Sequence, residues 1–190
     1  MSNVKILAFA GSTRAGSFNK TLLRTAVHGA ESAAASVTVI DLANYRMPIY
    51  DSDLEVESGL PENAKKLQAL FLDHNGLLIA SPEYNSSVTP VLKNTIDWMT
   101  RWNGAANLRC FSGKTAGLIA AGGGAGGLRG LVHLRQILGN IGVLVLPGQA
   151  TVSGAWTAFD DGGDLIDEGH RNAVENVGAS LAETLSKLHA

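Results

Sequence analysis

The sequence predicts a doubly wound α/β fold, a parallel sheet with helices on both faces. Three observations carry that prediction. Short, continuously apolar stretches such as residues 4–10 and 77–80 read as strands buried on both sides. Stretches with apolar residues at helical spacing fall between them. Polar or glycine-rich loops follow the first, third and fourth strands, at the carboxyl edge where such sheets bind ligands.

Val4-Lys5-Ile6-Leu7-Ala8-Phe9-Ala10 is the first strand, bounded by Gly11. After the loop of residues 11–19, residues 20–35 read as a helix with Leu22, Leu23, Ala26, Val27 and Ala30 on one stripe. Residues 37–40 form the second strand, ending at Asp41, and residues 42–60 read as a long connection containing Tyr45, Met47, Pro48, Ile49 and Tyr50. Pro61 and Glu62 suit a helix start, and Leu67, Leu70 and Phe71 supply its buried stripe. Residues 77–80 are the third strand, stopped by Ser81-Pro82. A helix over 90–102 carries Leu92, Ile96, Met99 and Trp98 at or near helical spacing, placing Trp98 and Trp102 one turn apart. Thr115–Ala121 is the fourth strand, 128–141 a helix, 143–146 the fifth strand and 166–188 the closing helix.

With 190 residues, 45% hydrophobic and 17% charged, the chain reads as one domain over residues 1–190 with a full core. A net charge of −2 argues against nucleic-acid binding, which needs a strongly basic face. It argues equally against an acidic disordered chain. The lone Cys110 rules out an intramolecular disulfide and any CxxC pair. Residues 1–5 lead straight into a strand with no signal-peptide pattern, and no apolar run approaches the ~18 residues of a membrane span. A soluble, cytoplasmic protein with no membrane partner is expected. Glycine, 22 residues or about 12% against an average near 7%, suggests turns where backbone approaches a ligand.

Each of the three loops can hold something different. The first, Gly11-Ser12-Thr13-Arg14-Ala15-Gly16-Ser17-Phe18-Asn19, leaves a strand and opens a helix, which favours an anion. Its hydroxyls and Asn19 are neutral donors, Arg14 adds a charge matched to phosphate, and no Walker-type lysine follows the glycines. A monophosphate fits better than a magnesium-bound triphosphate; the alternative is a polar capping turn. In the second, Pro82 and Tyr84 offer a wall for a planar ring, and the amides of residues 83–87 address its polar edge. The alternative there is a proline turn with Tyr84 simply packed. The third contains a formal GxGxxG at Gly122, Gly124 and Gly127 but lacks the acidic residue ~20 positions on, where Leu144-Val145-Leu146-Pro147 stands. It reads as close backbone approach to a flat ligand, or as a flexible loop.

Gly113-Lys114-Thr115 is not a P-loop tail, because the first glycine of that motif would fall on Leu108. No GxSxG elbow is present, and His28, His74, His133, His170 and His189 are scattered without ligand spacing, so no metal site is expected. His133 reads as a surface or interface residue and Cys110 as structural.

With these loops in hand, the sequence resembles the NADPH-dependent FMN reductase family, of flavodoxin-like fold. The matching pieces are Gly11-Ser12-Thr13-Arg14-x-x-Ser17-x-Asn19, Pro82-Glu83-Tyr84-Asn85 and Leu92-Lys93-Asn94-x-Ile96-Asp97-Trp98. His133-Leu134-Arg135-Gln136-Ile137-Leu138 is similar to the branch of chromate, quinone and ferric-chelate reductases. The resemblance implies a sheet of about five parallel strands in the order 2-1-3-4-5. It implies an FMN phosphate held by Ser12, Arg14, Ser17, Phe18 and Asn19, and an isoalloxazine lined by Pro82, Glu83, Tyr84, Asn85 and Ser87, mostly through backbone. Gly122 and Gly123 would touch the pyrimidine side, through main chain only, since Ala120-Ala121-Gly122-Gly123 stands where related reductases often carry hydroxyls.

The resemblance further implies NADPH or NADH as co-substrate, with chemistry at flavin N5 rather than at a catalytic side chain. It implies a ping-pong cycle delivering electrons to small-molecule acceptors such as quinones, chromate or ferric chelates, and a homodimer or a tetramer built from dimers. Trp98, Trp102 and the apolar residues of the 45–50 connection are the candidate interface; the alternative is that both tryptophans are core. The main alternative is a flavodoxin-type electron carrier, whose usual strongly acidic docking face a net charge of −2 does not suggest. A flavin-free Rossmann enzyme and a protein that merely senses FMN are the others.

Overall fold

The computed structural model describes residues 4–189; residues 1–3, read above as leading into the first strand, and Ala190 lie outside them. In chain order the elements are β1 (Lys5–Ala10), α1 (Phe18–Ser32), β2 (Ser36–Ile40), a 3₁₀ turn (Leu42–Asn44), α2 (Ser52–Ser58), α3 (Glu62–Asp73), β3 (Gly76–Ala80), α4 (Pro90–Met99), β4 (Arg101–Trp102), β5 (Ala105–Ala106), β6 (Thr115–Ala121), α5 (Leu128–Asn140), β7 (Leu144–Val152) and α6 (Glu168–Leu188). The main sheet runs β2-β1-β3-β6-β7, which is 2-1-3-4-5 counting its own strands. Its pairings are all parallel. This is the flavodoxin-like order expected from sequence. β4 and β5 form a separate antiparallel ribbon.

The unbroken apolar runs follow from burial on two sides. Ile6, Ala8 and Ala10 face one core with Leu22, Leu23 and Ala26 of α1 and Val174, Val177, Leu181 and Leu185 of α6. Leu7 and Phe9 face the other, with Phe71 of α3, Leu92, Ile96 and Trp98 of α4 and Leu131, Leu134 and Leu138 of α5. Each buried Val, Leu, Ile or Phe among them contributes ~1.5–3 kcal/mol relative to exposure.

Helix α6 lies against the backbone of α1. A Cβ at Gly29 would sit 2.0 Å from the Glu175 carbonyl oxygen, and one at Gly178 would sit 1.9 Å from that of Ala26. Beneath α6, a Cβ at Gly76 would come within 2.5 Å of Leu185 Cδ1. Part of the glycine excess is therefore spent on helix packing, a correction to its reading as ligand-approaching turns.

Five further differences from the sequence reading stand out. The 42–60 connection contains the 3₁₀ turn and α2. In α2 the apolar residues Leu54 and Val56 follow no helical stripe, and the buried residue is Glu55. Its Oε2 accepts from Arg101 Nε (2.7 Å) and the Tyr50 hydroxyl (3.2 Å), while Asp51 caps the helix. Helix α4 stops at Met99, so Trp102 lies on the β4–β5 ribbon under the Arg109 guanidinium (4.2 Å). Trp98 is fully buried, its indole N–H donating to the Pro48 carbonyl at 2.8 Å, so it does not belong to an exposed patch.

β7 runs on to Val152, past Pro147-Gly148. Its pairing with β6 jumps from Ala116↔Val145 to Leu118↔Gln149, so Leu146, Pro147 and Gly148 are accommodated in a bulge. A proline without an N–H is tolerated on an edge strand, and Arg135 donates to the Leu146 carbonyl and the Gln149 amide oxygen, both at 2.8 Å. Finally, α1 begins at Phe18 and ends at Ser32, with Ala34 in the left-handed region at φ 64°.

Cys110 is buried, and desolvation pushes its thiol up to about 11. Lys114 is buried at the start of β6, its Nζ donating to the His74 carbonyl, and burial lowers its pKa. No described helix is long and apolar enough to cross a membrane. Replacing Gly29 or Gly178 by alanine must push α1 and α6 apart. We expect a loss of about 2–3 kcal/mol, a fall in Tm of roughly 4–12 °C by circular dichroism; an unchanged melt would refute the contact.

Candidate functional site

Because β1, β3 and β6 are parallel neighbours, the loops leaving their carboxyl ends emerge side by side. Main-chain and hydroxyl bonds tie them down: Gly11 N–H donates to Ala80 O (2.9 Å), Ser81 N–H to Ile119 O (2.9 Å) and Thr89 Oγ1 to Gly11 O (2.6 Å).

The first loop turns on itself, Ser12 Oγ accepting the Arg14 N–H at 3.3 Å. Ser17 stands at the head of α1 with extended backbone, as an N-cap does, and is buried, yet its hydroxyl makes no cap bond. No acidic residue follows in the first turn. By contrast, α2, α4 and α6 are capped by Asp51, Thr89 and Asp167. The start of α1 thus keeps its helix-end positive potential and first-turn N–H groups for an outside anion. Arg14 is exposed over the Phe18 ring at 5.8 Å, and Phe18 stacks on Phe159 with centroids 6.0 Å apart.

Asn19 works inward. Its Nδ2 donates to the Ala121 carbonyl (2.8 Å) and its Oδ1 accepts the Ala121 N–H (3.0 Å). The side chain lines the cleft, but its carbonyl and one N–H are spent joining α1 to the end of β6. It acts as a positioning residue for the first and third loops.

The second loop is a tight hairpin in which Tyr84 and Ser87 exchange main-chain hydrogen bonds of 3.0 and 3.1 Å. Asn85 (φ 51°) and Ser86 (φ 64°) occupy its two left-handed positions, as a primed turn demands. Glu83 Oε2 accepts the Gly130 N–H at 3.0 Å, and its Oε1 lies 3.4 Å from Arg129 Nη1, so its carboxylate serves the first turn of α5. Gly130 permits this seating, since a Cβ there would lie 3.2 Å from Ser87 O and 3.3 Å from Glu83 Cβ. Ser87 Oγ meets His133 Nδ1 at 3.0 Å.

The third loop is held by its own main chain and by the segment after β7: Gly122 N–H donates to Val152 O and Ala155 N–H to Gly122 O, both at 3.0 Å. Gly127 (φ 92°) is required by geometry and by Ala120, whose Cβ would lie 2.7 Å from a Cβ at that position. Gly124 has nothing within 4 Å of such an atom. Trp156, 68% exposed, lies beside Gly123.

Together the loops enclose a cleft of about 450 Å³ lined by Ser12, Arg14, Ser17, Phe18, Asn19, Pro82, Glu83, Tyr84, Gly122 and Gly123. Of the residues singled out in sequence, Asn85 and Ser87 do not line it; they shape the hairpin and hold His133. Gly124 and Gly127, of the loop read as approaching a flat ligand, line it too, as do Ala121, Ala125 and Arg129, of which Arg129 was not singled out from sequence. The signal for Arg129 was its place just after the glycine run, at the start of a helix read only for its apolar stripe.

This order of strands, with a cleft at the loops leaving β1 and β3, where the strand order reverses, defines a flavodoxin-like nucleotide-binding protein. More narrowly, residues 4–157 match the NADPH-dependent FMN reductase model, and the chain belongs to that family. An NAD(P)H-dependent FMN reductase of Pseudomonas aeruginosa is 34% identical over 175 residues, 91% of this chain and 90% of that protein. The "Probable NADPH:quinone oxidoreductase 2" of Oryza sativa subsp. japonica is 32% identical over 134 residues, 70% of this chain and 64% of that protein. Among solved structures, FerB, a flavoenzyme NAD(P)H:(acceptor) oxidoreductase from Paracoccus denitrificans, superposes with a TM-score of 0.81 at 24% identity, covering 97% of this chain and 98% of that one.

Asn19→Ala would strand the buried Ala121 N–H and carbonyl. We expect a stability loss of about 1–3 kcal/mol in urea titration; an unaltered midpoint would show that the two loops do not depend on it.

Proposed function

We propose that the chain is one FMN-binding domain over residues 1–190 that oxidises NADPH or NADH and passes the electrons to quinones, with chromate and ferric chelates as further acceptors. The observation that carries this reading is the uncapped start of α1, with buried Ser17 and exposed Arg14, opening into a glycine-edged cleft of about 450 Å³. That volume suits a cofactor-sized ligand, and the donor set suits a monophosphate better than a triphosphate. These residues fit FMN. Ser12, Ser17 and the first-turn amides of α1 would hold its phosphate, with Arg14 closing over it. Pro82, Tyr84 and the main chain of Glu83, Gly122 and Gly123 would flank its ring system.

Bound FMN supplies hydride-transfer chemistry; the protein supplies placement. Among the described residues Glu83 is the one carboxylate lining the cleft, and both its oxygens are engaged by α5. Exposed Gly123, Gly124 and Tyr84 leave one side of the cleft open to solvent. Donor and acceptor would use that side in turn, which is ping-pong kinetics. A cytoplasmic homodimer, or a tetramer built from dimers, completes the proposal. Ile49 and Val56, 85% and 87% exposed, replace the tryptophans as its apolar contacts. Sedimentation at micromolar concentration tests the assembly, and a 20 kDa species there would refute it.

Anaerobic mixing with NADPH should bleach the flavin absorbance near stoichiometrically, and steady-state turnover with a quinone should give parallel double-reciprocal lines. A flavin band that persists would overturn the reading. Arg14→Ala should weaken FMN retention by about 1.5–3 kcal/mol, measured by fluorescence titration of the apoprotein; unchanged affinity would remove Arg14 from the phosphate site.

A further inference from the structure

The cleft contains two guanidinium groups, and the flavin assignment uses only Arg14. The other, Arg129, comes from the opposite wall, on the second residue of α5. Its side chain is 64% exposed. Its protein contacts are long: Nη1 lies 3.4 Å from both Glu83 Oε1 and Ser86 Oγ. Glu83 is held more firmly elsewhere, by the Gly130 N–H at 3.0 Å, so it positions the arginine without consuming its donors. Nε and Nη2 have no partner among the described residues.

One helical turn on, exposed His133 directs Nδ1 to Ser87 Oγ at 3.0 Å, and its Nε2 likewise has no partner among the described residues. Residues four apart on a helix are surface neighbours, ~5–6 Å between Cβ atoms. Arg129, which lines the cleft, thus stands with His133 and the Ser86 hydroxyl in one polar cluster beside it, with the exposed apolar side chains of Leu128 and Val132 on the same helix. A planar guanidinium with free parallel N–H groups is suited to phosphate.

We infer that Arg129, with His133 beside it, is a subsite for a phosphate of the nicotinamide dinucleotide, separate from the FMN phosphate site at α1. The inference rests on the oxidoreductase reading above and supplies the co-substrate recognition that the sequence motifs do not reveal. The phosphate is either the pyrophosphate common to both dinucleotides or the 2′-phosphate of NADPH alone.

The test compares the FMN-loaded enzyme with its Arg129→Ala and Arg129→Lys variants in anaerobic stopped flow. The donors are NADPH, NADH and the phosphate-free hydride donor 1-benzyl-1,4-dihydronicotinamide. The apparent Kd for NADPH should rise roughly tenfold or more in Arg129→Ala, with Arg129→Lys intermediate. The loss should be confined to phosphate-bearing donors. A rise for NADPH alone identifies the 2′-phosphate, and an equal rise for NADH identifies the pyrophosphate. The inference is overturned if neither dinucleotide is affected, if the phosphate-free donor loses as much, or if FMN content falls instead. A wild-type enzyme that no dinucleotide reduces would bring down the oxidoreductase reading itself, an outcome distinct from failure of the variants.

Discussion

The reciprocal pair between the Asn19 amide and the Ala121 main chain is the joint on which the rest of the site hangs. A side-chain amide has the same donor and acceptor as a peptide group, so Asn19 extends the hydrogen bonding of β6 by one further unit beyond the sheet. That fixes the first turn of α1, and with it Ser17, Phe18 and Arg14, against the glycine loop. Each bond contributes little net, ~0.5–1.5 kcal/mol, but leaving either group buried and unmet costs more. The same economy recurs nearby. Thr89 holds the carbonyl of Gly11 and Glu83 holds the amide of Gly130, so each loop is fastened by a side chain to a neighbour's backbone.

Much of this was legible in the sequence because burial on two faces writes itself into unbroken apolar runs. β1, β3 and β6, the most deeply buried strands, were read to within a residue or so at each end. Edges and ribbons were not. β7 continues past Pro147 because an edge strand can bulge where an arginine supplies the donors, and Arg135 does so from a different helix. Helix α2 escaped because what it buries is the carboxylate of Glu55, whose stronger partner, Arg101, is distant in the chain on β4. Trp98 and Trp102 shared a helical spacing, but the helix ends between them.

At the cleft, the residue types in the first loop were informative and the direction of their side chains was not. Asn19 and Glu83 are polar residues in the right loops, yet each turns toward the scaffold. Asn85 is there for its left-handed backbone. What the sequence could not display was the second wall, because Arg129 reaches the cleft from a helix whose pattern advertises only its core face. Family membership and geometry thus contribute different things. The family supplies the cofactor, and the particular side chains decide which parts of the walls hold the scaffold and which are left for ligands.

The glycine contact between α1 and α6 has a consequence for the cleft. Helix α1 carries the anion-binding turn at its front, and along its back it touches α6 main chain to main chain, with no side-chain cushion to absorb sliding. A shift of α1 would drag the longest helix in the molecule and the sheet beneath it. The anion seat is therefore anchored through the α1–α6 contact to the core and does not depend on its own loop for its position.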